Sequence, residues 1–225
     1  MKKCIINFAN GRHMLGQDRL KKSLIAHGFD GDFIEWQNEN QLGCQPHINN
    51  PYSFKTFAFL KAFQMGYDLV LWLDASVVAV ADMSSVWEKI EKQGYIMQEA
   101  GHLCGTWTND NALKYFDVTR DKSMHMLMYG NAGLLGLNRH DKKANDFFME
   151  WHKASKNGAF IGSWTNKDNT ESIDTHCKGH RHDMSCGSII ANKLKMNYES
   201  GNDLLHYAPP TDTPKQNVIF HAQGL

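Results

Sequence analysis

Short apolar runs alternate with longer amphipathic segments along the chain. This alternation is typical of an α/β domain built on a largely parallel sheet. The clearest strand pattern is LVLWL at residues 69–73, which is continuous, apolar and bounded by Asp68 and Asp74. Because a continuous apolar run is typical of a strand buried on both faces, we expect this strand at the centre of the sheet.

Hydrophobic periodicity also predicts the other elements. Strands are expected at residues 4–8, 32–36, 95–98, 132–137 and 218–220, long helices at 16–27, 52–65, 83–93, 141–156 and 183–194, and short helices at 111–116 and 121–126. Gly28 and Gly66 are placed to end the first two helices. Residues 37–51 and 157–181 are polar, lack clear periodicity and are predicted to be loops. A loop as long as the second is usually functional.

Length and composition narrow the class of protein. The chain has 225 residues, enough for one domain over residues 1–225 with a full hydrophobic core. Its 24 Lys and Arg residues balance 24 Asp and Glu, and zero net charge disfavours broad attraction to nucleic acid. No apolar run is long enough for a membrane span, and the first apolar stretch is too short for a signal peptide. We therefore expect a cytoplasmic protein whose five cysteines are reduced.

Asp74 is the first residue that suggests chemistry. It follows the predicted central strand directly, and ligands of open α/β sheets bind beyond the carboxyl ends of the strands. With Ser76 two residues later, this position suits a Mg²⁺ or Mn²⁺ ion, which takes a carboxylate together with substrate phosphates. The alternative interpretation is that Asp74 only ends the strand and caps the next segment.

Four segments, in a fixed order, extend this interpretation. Residues 55–76 contain KTFAFLKAF, GYD and LWLDAS, residues 131–138 are NAGLLGLN, residues 182–185 are HDMS, and residues 218–224 are VIFHAQG. They resemble, in turn, the stretch leading into the Asp-X-Asp motif, the Asn-Ala-Gly strand, the His-Asp-Gln-Ser helix start and the C-terminal metal-binding His of GT-A nucleotide-sugar-dependent glycosyltransferases. Two residues depart from that pattern, because Ser76 replaces the second acid and Met184 replaces Gln.

The resemblance implies a fold, an activity and a metal. The fold is the GT-A (Rossmann-like) fold, an α/β domain with a mixed, mostly parallel sheet flanked by helices. The activity is transfer of a sugar from a nucleotide-diphosphate sugar, with UDP-sugars favoured, to an acceptor hydroxyl. A divalent cation, Mn²⁺ or Mg²⁺, would stabilise the charge that develops on the leaving diphosphate. Its implied ligands are Asp74, Ser76 and His221, and an imidazole ligand favours Mn²⁺.

The same resemblance implies roles for other residues. Asp183 is the implied catalytic carboxylate; as a general base it would give inversion at the anomeric carbon, and as a donor ligand it would give retention. The alternative is that Asp183 only caps a helix. The implied donor-binding residues are Asn10, Gly11, Arg12, Lys55, Asp74, Asn131, Ala132, Gly133 and His182. For Lys55 the alternative is an ordinary solvated lysine.

The His-rich segment around residues 176–186 supports two interpretations. Four potential zinc ligands lie close together in it: Cys177, His180, His182 and Cys186. Their spacing is unusual for a tetrahedral site. In the favoured interpretation the segment, with Lys178 and Arg181, is a loop that closes over the diphosphate.

The expected acceptor is a saccharide or glycoconjugate. Trp107 and Trp164 stand in polar segments and suit stacking on an acceptor, with buried loop anchors as the alternative. A hydroxymethylated base in DNA is the alternative acceptor, and it would need a basic face made by Lys142, Lys143, Lys153, Lys156 and Lys167. A noncatalytic nucleotide-sugar binder, inactive because of Ser76, is the rival class. The sequence leaves the oligomeric state open.

Overall fold

The computed structural model of the protein describes residues 1–130, 133–200, 204–207 and 218–224, which form ten strands and eight α-helices. The strands are β1 (Lys3–Phe8), β2 (Asp32–Trp36), β3 (Leu69–Leu73), β4 (Val77–Ala79), β5 (Tyr95–Ile96), β6 (Gln98–Leu103), β7 (Leu127–Gly130), β8 (Leu134–Asn138), β9 (Leu205–Tyr207) and β10 (Phe220–Ala222). The helices are α1 (Met14–Ala26), α2 (Glu39–Leu42), α3 (Ser53–Gln64), α4 (Ser84–Gln93), α5 (Asp110–Tyr115), α6 (Arg120–Ser123), α7 (Lys142–Lys156) and α8 (His182–Lys193).

The main sheet has five strands in the order β2-β1-β3-β8-β5. β1 is parallel to both β2 and β3, whereas β8 is antiparallel to both β3 and β5. β5 therefore points the same way as β3, and β8 alone of the five runs in the opposite direction. The predicted fold class, an α/β domain with a mixed, mostly parallel sheet flanked by helices, is confirmed, and so is the central position of β3.

Both faces of β3 are buried, as its continuous apolar sequence predicts. Side chains alternate between the two faces of a strand. Leu69, Leu71 and Leu73 pack into a core shared with α1 and α4. Val70 and Trp72 pack into the opposite core, which is shared with α3, α7 and α8. The sheet therefore lies between two helical layers.

A small second sheet brings the C-terminal segment next to the end of β3. β10 is antiparallel to β4 and parallel to β9, giving the order β4-β10-β9. The backbone N–H of Gln223 donates to the carbonyl of Ser76 at 3.0 Å. Phe220 and Ala222 fill the core that Leu71 occupies. The third sheet is the antiparallel ribbon of β6 and β7.

The long predicted helices are found within about two residues of their expected bounds, which is the usual uncertainty of helix ends. The predicted loop at residues 37–51 is wrong in part, because it contains α2. A capping box starts this helix: Asn38 Oδ1 accepts from Gln41 N at 3.1 Å, and Gln41 Oε1 accepts from Asn38 N at 3.3 Å. The strands β4, β7 and β9 were not predicted, and β6 was predicted only at its first residue, Gln98. Across the described ranges, no helix combines the length and apolar character needed to cross a membrane.

The packing of β3 predicts a large difference between two identical substitutions. Leu71 is 0% exposed and Leu15, on α1, is 79% exposed. Leu71→Ala is expected to lower the free energy of unfolding by about 2–5 kcal/mol, because it leaves a cavity between the sheet and its helices. Leu15→Ala is expected to change it by less than about 0.5 kcal/mol. Denaturant titration of both variants measures the difference, and similar losses in the two would contradict the observed packing.

Candidate functional site

A cavity of about 290 Å³ opens at the carboxyl ends of β1 and β3. This is where the topology of an open α/β sheet places a ligand. The segments after the two strands and the start of α3 supply most of its wall. Its lining residues are Phe8, Ala9, Asn10, His13, His47, Tyr52, Phe54, Lys55, Trp72, Asp74, Ala75 and Ser76.

Asp74 faces α3 because it lies two residues after Trp72. Trp72 packs into the core on the α3 side of the sheet, and its indole Nε1–H donates to Asp74 Oδ1 at 2.7 Å. The backbone N–H of Asp74 donates to the carbonyl of Gly133 at 3.0 Å. Side chain and backbone are therefore both fixed, and the carboxylate is held at the cavity.

The ammonium of Lys55 lies between two carboxylates. Its Nζ is 3.3 Å from Asp74 Oδ1 and 3.2 Å from Asp183 Oδ2. Lys55 is 2% exposed, so the interpretation as a solvated lysine is wrong. Burial disfavours the ammonium, but the attraction of Asp183 and then of Asp74 outweighs it and raises the pKa of Lys55. The cation therefore links the end of β3 to the start of α8.

Asp183 is the second residue of α8 and is 2% exposed. Burial raises the pKa of its carboxyl to about 6, while the charge of Lys55 acts in the opposite direction. Arg181 occupies the N-cap position, and its side chain makes no capping hydrogen bond. The interpretation of Asp183 as a simple N-cap is therefore wrong. Its carboxylate is instead committed to the charged cluster.

Two strained residues start the helices that carry this cluster. Tyr52, before α3, has φ +59°, and His182, the first residue of α8, has φ +48°. A residue other than glycine pays about 1–3 kcal/mol for such a backbone, and these residues concentrate at functional sites. Their rings lie 5.4 Å apart at 31°. The backbone N–H of Tyr52 donates to His47 Nδ1 at 3.1 Å, and His182 Nδ1 donates to the carbonyl of Phe160 at 2.9 Å.

The predicted donor-binding residues are only partly brought together. Asn10 and Lys55 line the cavity with Asp74, whereas Gly11 and Arg12 lie in the exposed 3₁₀ turn that follows and are not lining residues. Gly11 has φ +52°, and a Cβ there would meet nothing within 4 Å. Glycine at position 11 therefore suits the backbone conformation, and no neighbouring group would clash with a side chain there. His182 is buried and does not line the cavity.

The remaining donor predictions concern residues 131–133. Asn131 and Ala132 lie outside the described residues. A Cβ at Gly133 would lie 2.6 Å from Tyr207 Oη and 3.5 Å from Asp74 Oδ2. A larger residue at position 133 would displace the Tyr207 hydroxyl, whereas the distance to Asp74 is ordinary van der Waals contact. Position 133 therefore lies beside the Asp74 carboxylate, and its contact with a donor stays a prediction.

Of the three predicted metal ligands, Asp74 and Ser76 line the cavity. His221 lies on β10, opposite Val78 of β4, and its ring stacks on that of His206 at 5.5 Å. It is not among the lining residues. Within the described ranges, no three His, Cys, Asp or Glu side chains are grouped so that they could hold a metal ion.

The zinc interpretation is wrong. Within the described residues, Cys177, His180, His182 and Cys186 do not form a group that could hold a metal ion. Both ring nitrogens of His180 are engaged, since Nδ1 accepts from Asn109 N at 3.3 Å and Nε2 donates to the carbonyl of Ala159 at 3.0 Å. Burial lowers the pKa of His180 to about 3 and keeps it neutral. Cys186 Sγ donates to the same Ala159 carbonyl at 3.2 Å.

The sequence did not indicate three residues of the site: His13, His47 and Tyr207. The two histidines line the cavity. Burial raises the pKa of the Tyr207 hydroxyl, and the charges of Asp74 and Asp183 add to this effect. The hydroxyl therefore stays protonated beside two carboxylates. Neither histidine stands in a distinctive motif, and Tyr207 lies on the short strand β9, which was itself not predicted.

Comparison with known proteins identifies the fold. No protein family model and no curated protein matches the sequence. A solved glycosyltransferase involved in glycosylation of the major capsid of PBCV-1 matches 97% of this chain and 93% of its own, at 9% identity and a TM-score of 0.54. The apo structure of the bifunctional glycosyltransferase WbbM matches 92% of this chain, at 13% identity and a TM-score of 0.52.

A third solved structure is the glycosyltransferase GlyE of Streptococcus pneumoniae TIGR4, at 15% identity over 90% of this chain and a TM-score of 0.47. The match spans 40% of the WbbM chain and 46% of the GlyE chain. Identities this low establish the fold alone. This chain therefore has the α/β fold of the capsid glycosyltransferase and of the matched part of WbbM.

Removal of the Lys55 ammonium from the charged cluster is expected to lower the free energy of unfolding by an amount that depends on pH. Lys55→Met keeps the length of the side chain but leaves two carboxylates without their ammonium. Breaking a buried ion pair in this way costs about 3–5 kcal/mol. Because the fold raises the pKa of Asp183 from 3.8 to about 6, protonating Asp183 favours the folded state, and stability is lost as pH rises through that range. Without Lys55, no positive charge offsets an ionised Asp183. The loss of stability in Lys55→Met should therefore be larger at about pH 8, where Asp183 would have to be ionised, than at about pH 5, where it is mostly protonated.

The double variant Lys55→Met/Asp183→Asn is the matched control for this effect. It removes one negative charge together with the positive one, so it should be more stable than Lys55→Met alone at about pH 8. Denaturant titration of the four proteins of this cycle gives the coupling energy. Equal losses at both pH values, with no recovery in the double variant, would rule out an energetic coupling between the two residues.

Proposed function

We propose that this protein is a glycosyltransferase that moves a sugar from a nucleotide-diphosphate sugar, with UDP-sugars favoured, to an acceptor hydroxyl. The observation that carries the proposal is the Asp74–Lys55–Asp183 cluster, in which Lys55 and Asp183 are buried, beside a cavity at the carboxyl edge of the sheet. A structural ion pair alone would not require a cavity next to it. The fold shared with known glycosyltransferases supports the same reaction class.

The shape of the cavity suggests where each part of the donor binds. Phe8 and Phe54 stack at 4.4 Å and supply an apolar wall near Asn10, which suits the base and ribose. Asp74 and Ser76 form the polar end, which suits the diphosphate and its counterion. We assign the donor sugar to the region between Asp74, Gly133 and Asp183, with Asn131, Ala132 and His182 as further donor contacts carried over from the sequence prediction. Gly11 and Arg12 stay predicted contacts of the nucleotide.

We propose a divalent cation at the polar end of this cavity. Asp74 Oδ1 is engaged by Trp72 and Lys55, whereas Oδ2 faces the space above Gly133. Carboxylate and hydroxyl oxygens together with substrate phosphates suit Mn²⁺ or Mg²⁺. We assign the cation to Asp74 and Ser76, whereas His221, which does not line the cavity, stays a ligand that the sequence alone predicts and that would favour Mn²⁺. When bound, the cation would stabilise the charge on the diphosphate leaving group.

Asp183 is the proposed catalytic or sugar-binding carboxylate. As a base it would accept the proton of the acceptor hydroxyl, and as a ligand it would accept hydrogen bonds from the donor sugar. The role as a base requires the ionised form, and the ionised form is also the stronger hydrogen-bond acceptor. The adjacent ammonium of Lys55 favours that form and holds the carboxylate in place.

A saccharide or glycoconjugate is the proposed acceptor. Zero net charge supports this choice over hydroxymethylated DNA. Of the lysines that would form a basic face, Lys142 is paired with Asp146 at 2.6 Å, and Lys143 donates to the carbonyl of Lys195 at 3.3 Å. The Asp146 carboxylate offsets the charge of Lys142, whereas the carbonyl leaves that of Lys143 unchanged.

The central test is release of nucleotide diphosphate from a panel of UDP- and GDP-sugars, with Mn²⁺ and with a chelator. Asp74→Asn is expected to lower the rate of release by roughly a hundredfold or more, because it removes a charge at the leaving group. Asp68→Asn is the matched control. Asp68 precedes β3 at the opposite edge of the sheet, where it contacts Lys2 N at 2.8 Å and His140 Nε2 at 2.7 Å.

Each result of this panel has a distinct meaning. Release that depends on Mn²⁺ and on Asp74, but not on Asp68, would support the transferase and identify its donor. Release that persists with the chelator would contradict the proposed metal. Donor binding with no release, even with glycans or hydroxymethylated DNA present, would identify a noncatalytic binder.

The raised pKa of Asp183 predicts the acid limb of the pH profile. Activity should rise with pH through about 6, since the carboxylate form acts and the protonated form does not. Asp183→Asn should lower the rate by roughly a hundredfold or more and remove this limb from the residual activity. The measurement is the rate of nucleotide-diphosphate release against pH for both proteins. An unchanged limb in Asp183→Asn would assign the titration to another group.

A further inference from the structure

Arg181 lies between two tryptophans just before α8. Its guanidinium carbon is 3.9 Å from the ring centroid of Trp107 and 4.2 Å from that of Trp164. Cation–π contacts of this kind hold the planar guanidinium against the rings. Because the rings cover its faces, the N–H groups in its plane are the part that a ligand can reach.

The other arginines whose guanidinium groups contact the protein differ from Arg181. Arg120 pairs with Asp110 at 2.6 Å, Arg19 donates to the carbonyls of Ser76 and Gly224, and Arg139 donates to that of Phe63. For Arg181, the described residues supply neither an ion pair nor a hydrogen bond to the guanidinium. Burial lowers the pKa of this half-buried group, and no carboxylate offsets the effect. A charge taken partly out of water in this way is expected to meet an anion.

Several hydrogen bonds fix the conformation of the loop that carries Trp164. Asn166 Nδ2 donates to the carbonyls of Ser172 at 2.8 Å and Cys177 at 3.0 Å. The backbone N–H of Asn166 donates to the backbone carbonyl of Lys178 at 2.8 Å. A Cβ at Gly179 would clash with the backbone of Trp164. Trp164 nevertheless remains 44% exposed. An ordered and exposed indole beside an arginine is a platform that a ligand can use.

This platform lies beside the donor cavity. The ring of Trp164 is 6.0 Å from that of Tyr52, which lines the cavity, and 5.4 Å from that of His182, which precedes Asp183. Arg181, Trp107 and Trp164 are not lining residues. Their position therefore suits a group on the acceptor better than the diphosphate of the donor.

We propose that Arg181 binds an acidic group of the acceptor, a carboxylate or a phosphate, while Trp164 packs against the adjoining sugar. The proposal rests on the proposed function, because it assigns the acceptor side of that site. Carboxylates and phosphates both match the paired N–H groups of a guanidinium. Recognition by one arginine is also compatible with a chain of zero net charge.

The test is direct binding of three probes, followed by tryptophan fluorescence and calorimetry with and without UDP. The probes are methyl glucuronide for a carboxylate, glucose 6-phosphate for a phosphate and methyl glucoside as the neutral reference. At least one anion should bind roughly tenfold more tightly than the glucoside. Arg181→Met, which still fills the space between the rings, should lose that preference. Arg181→Lys should keep part of it, because lysine retains the charge but not the paired N–H geometry.

Arg139→Met is the matched control, and it should bind the anions as the unaltered protein does. Equal anion binding in Arg181→Met, or no anion bound better than the glucoside, would overturn the proposal. Competition between UDP and the anions, with weaker UDP binding in Arg181→Met, would also overturn it by assigning Arg181 to the donor diphosphate. The titration needs no turnover, so anion binding without release of nucleotide diphosphate from any donor would contradict the proposed function alone.

Discussion

The rest of the site depends on one interaction, the ion pairing of the buried Lys55 ammonium with Asp74 and Asp183. Without that cation, the fold would bury the Asp183 carboxylate with no positive charge beside it and with the partly exposed carboxylate of Asp74 nearby. The three residues come from α3, the end of β3 and α8, which are far apart in sequence. The cluster therefore forms only when sheet and helices are fully packed, and removal of the Lys55 ammonium would raise the pKa of Asp183 further.

The direction in which these charges point follows from the alternation of side chains along β3. Trp72 and Asp74 lie on the side of α3, while Leu71 and Leu73 fill the opposite core. A shift of one residue in the register of β3 would turn Asp74 away from Lys55 and place leucines on the wrong face. The same period that buries both faces of the strand thus also aims the carboxylate at the cavity.

Sequence reasoning identified the parts of this protein that have strong local signals. Long helices and the central strand have clear periodicity, whereas β4 and β9, which were not predicted, have three residues each and are too short to show a period. The order of four segments indicated Asp74 and Asp183, but burial of Lys55 depends on tertiary packing that a helical pattern does not encode. The zinc interpretation was wrong for a related reason: residue types show which atoms can bind a metal, and only the fold shows that His180 has both ring nitrogens hydrogen-bonded.

Strain at His182 resolves a conflict between its neighbours. Arg181 and Asp183 carry opposite charges two residues apart, and they would neutralise each other if their side chains met. The left-handed backbone of His182 lies between them, and the structure places Arg181 between Trp107 and Trp164 but Asp183 against Lys55. The buried ring of His182 packs on Tyr52, and its hydrogen bond to Phe160 fixes the turn. The unfavourable φ angle of His182 therefore separates a partly exposed cation from a buried carboxylate that Lys55 holds, and this separation lets a single turn of chain contribute to both sides of the proposed site.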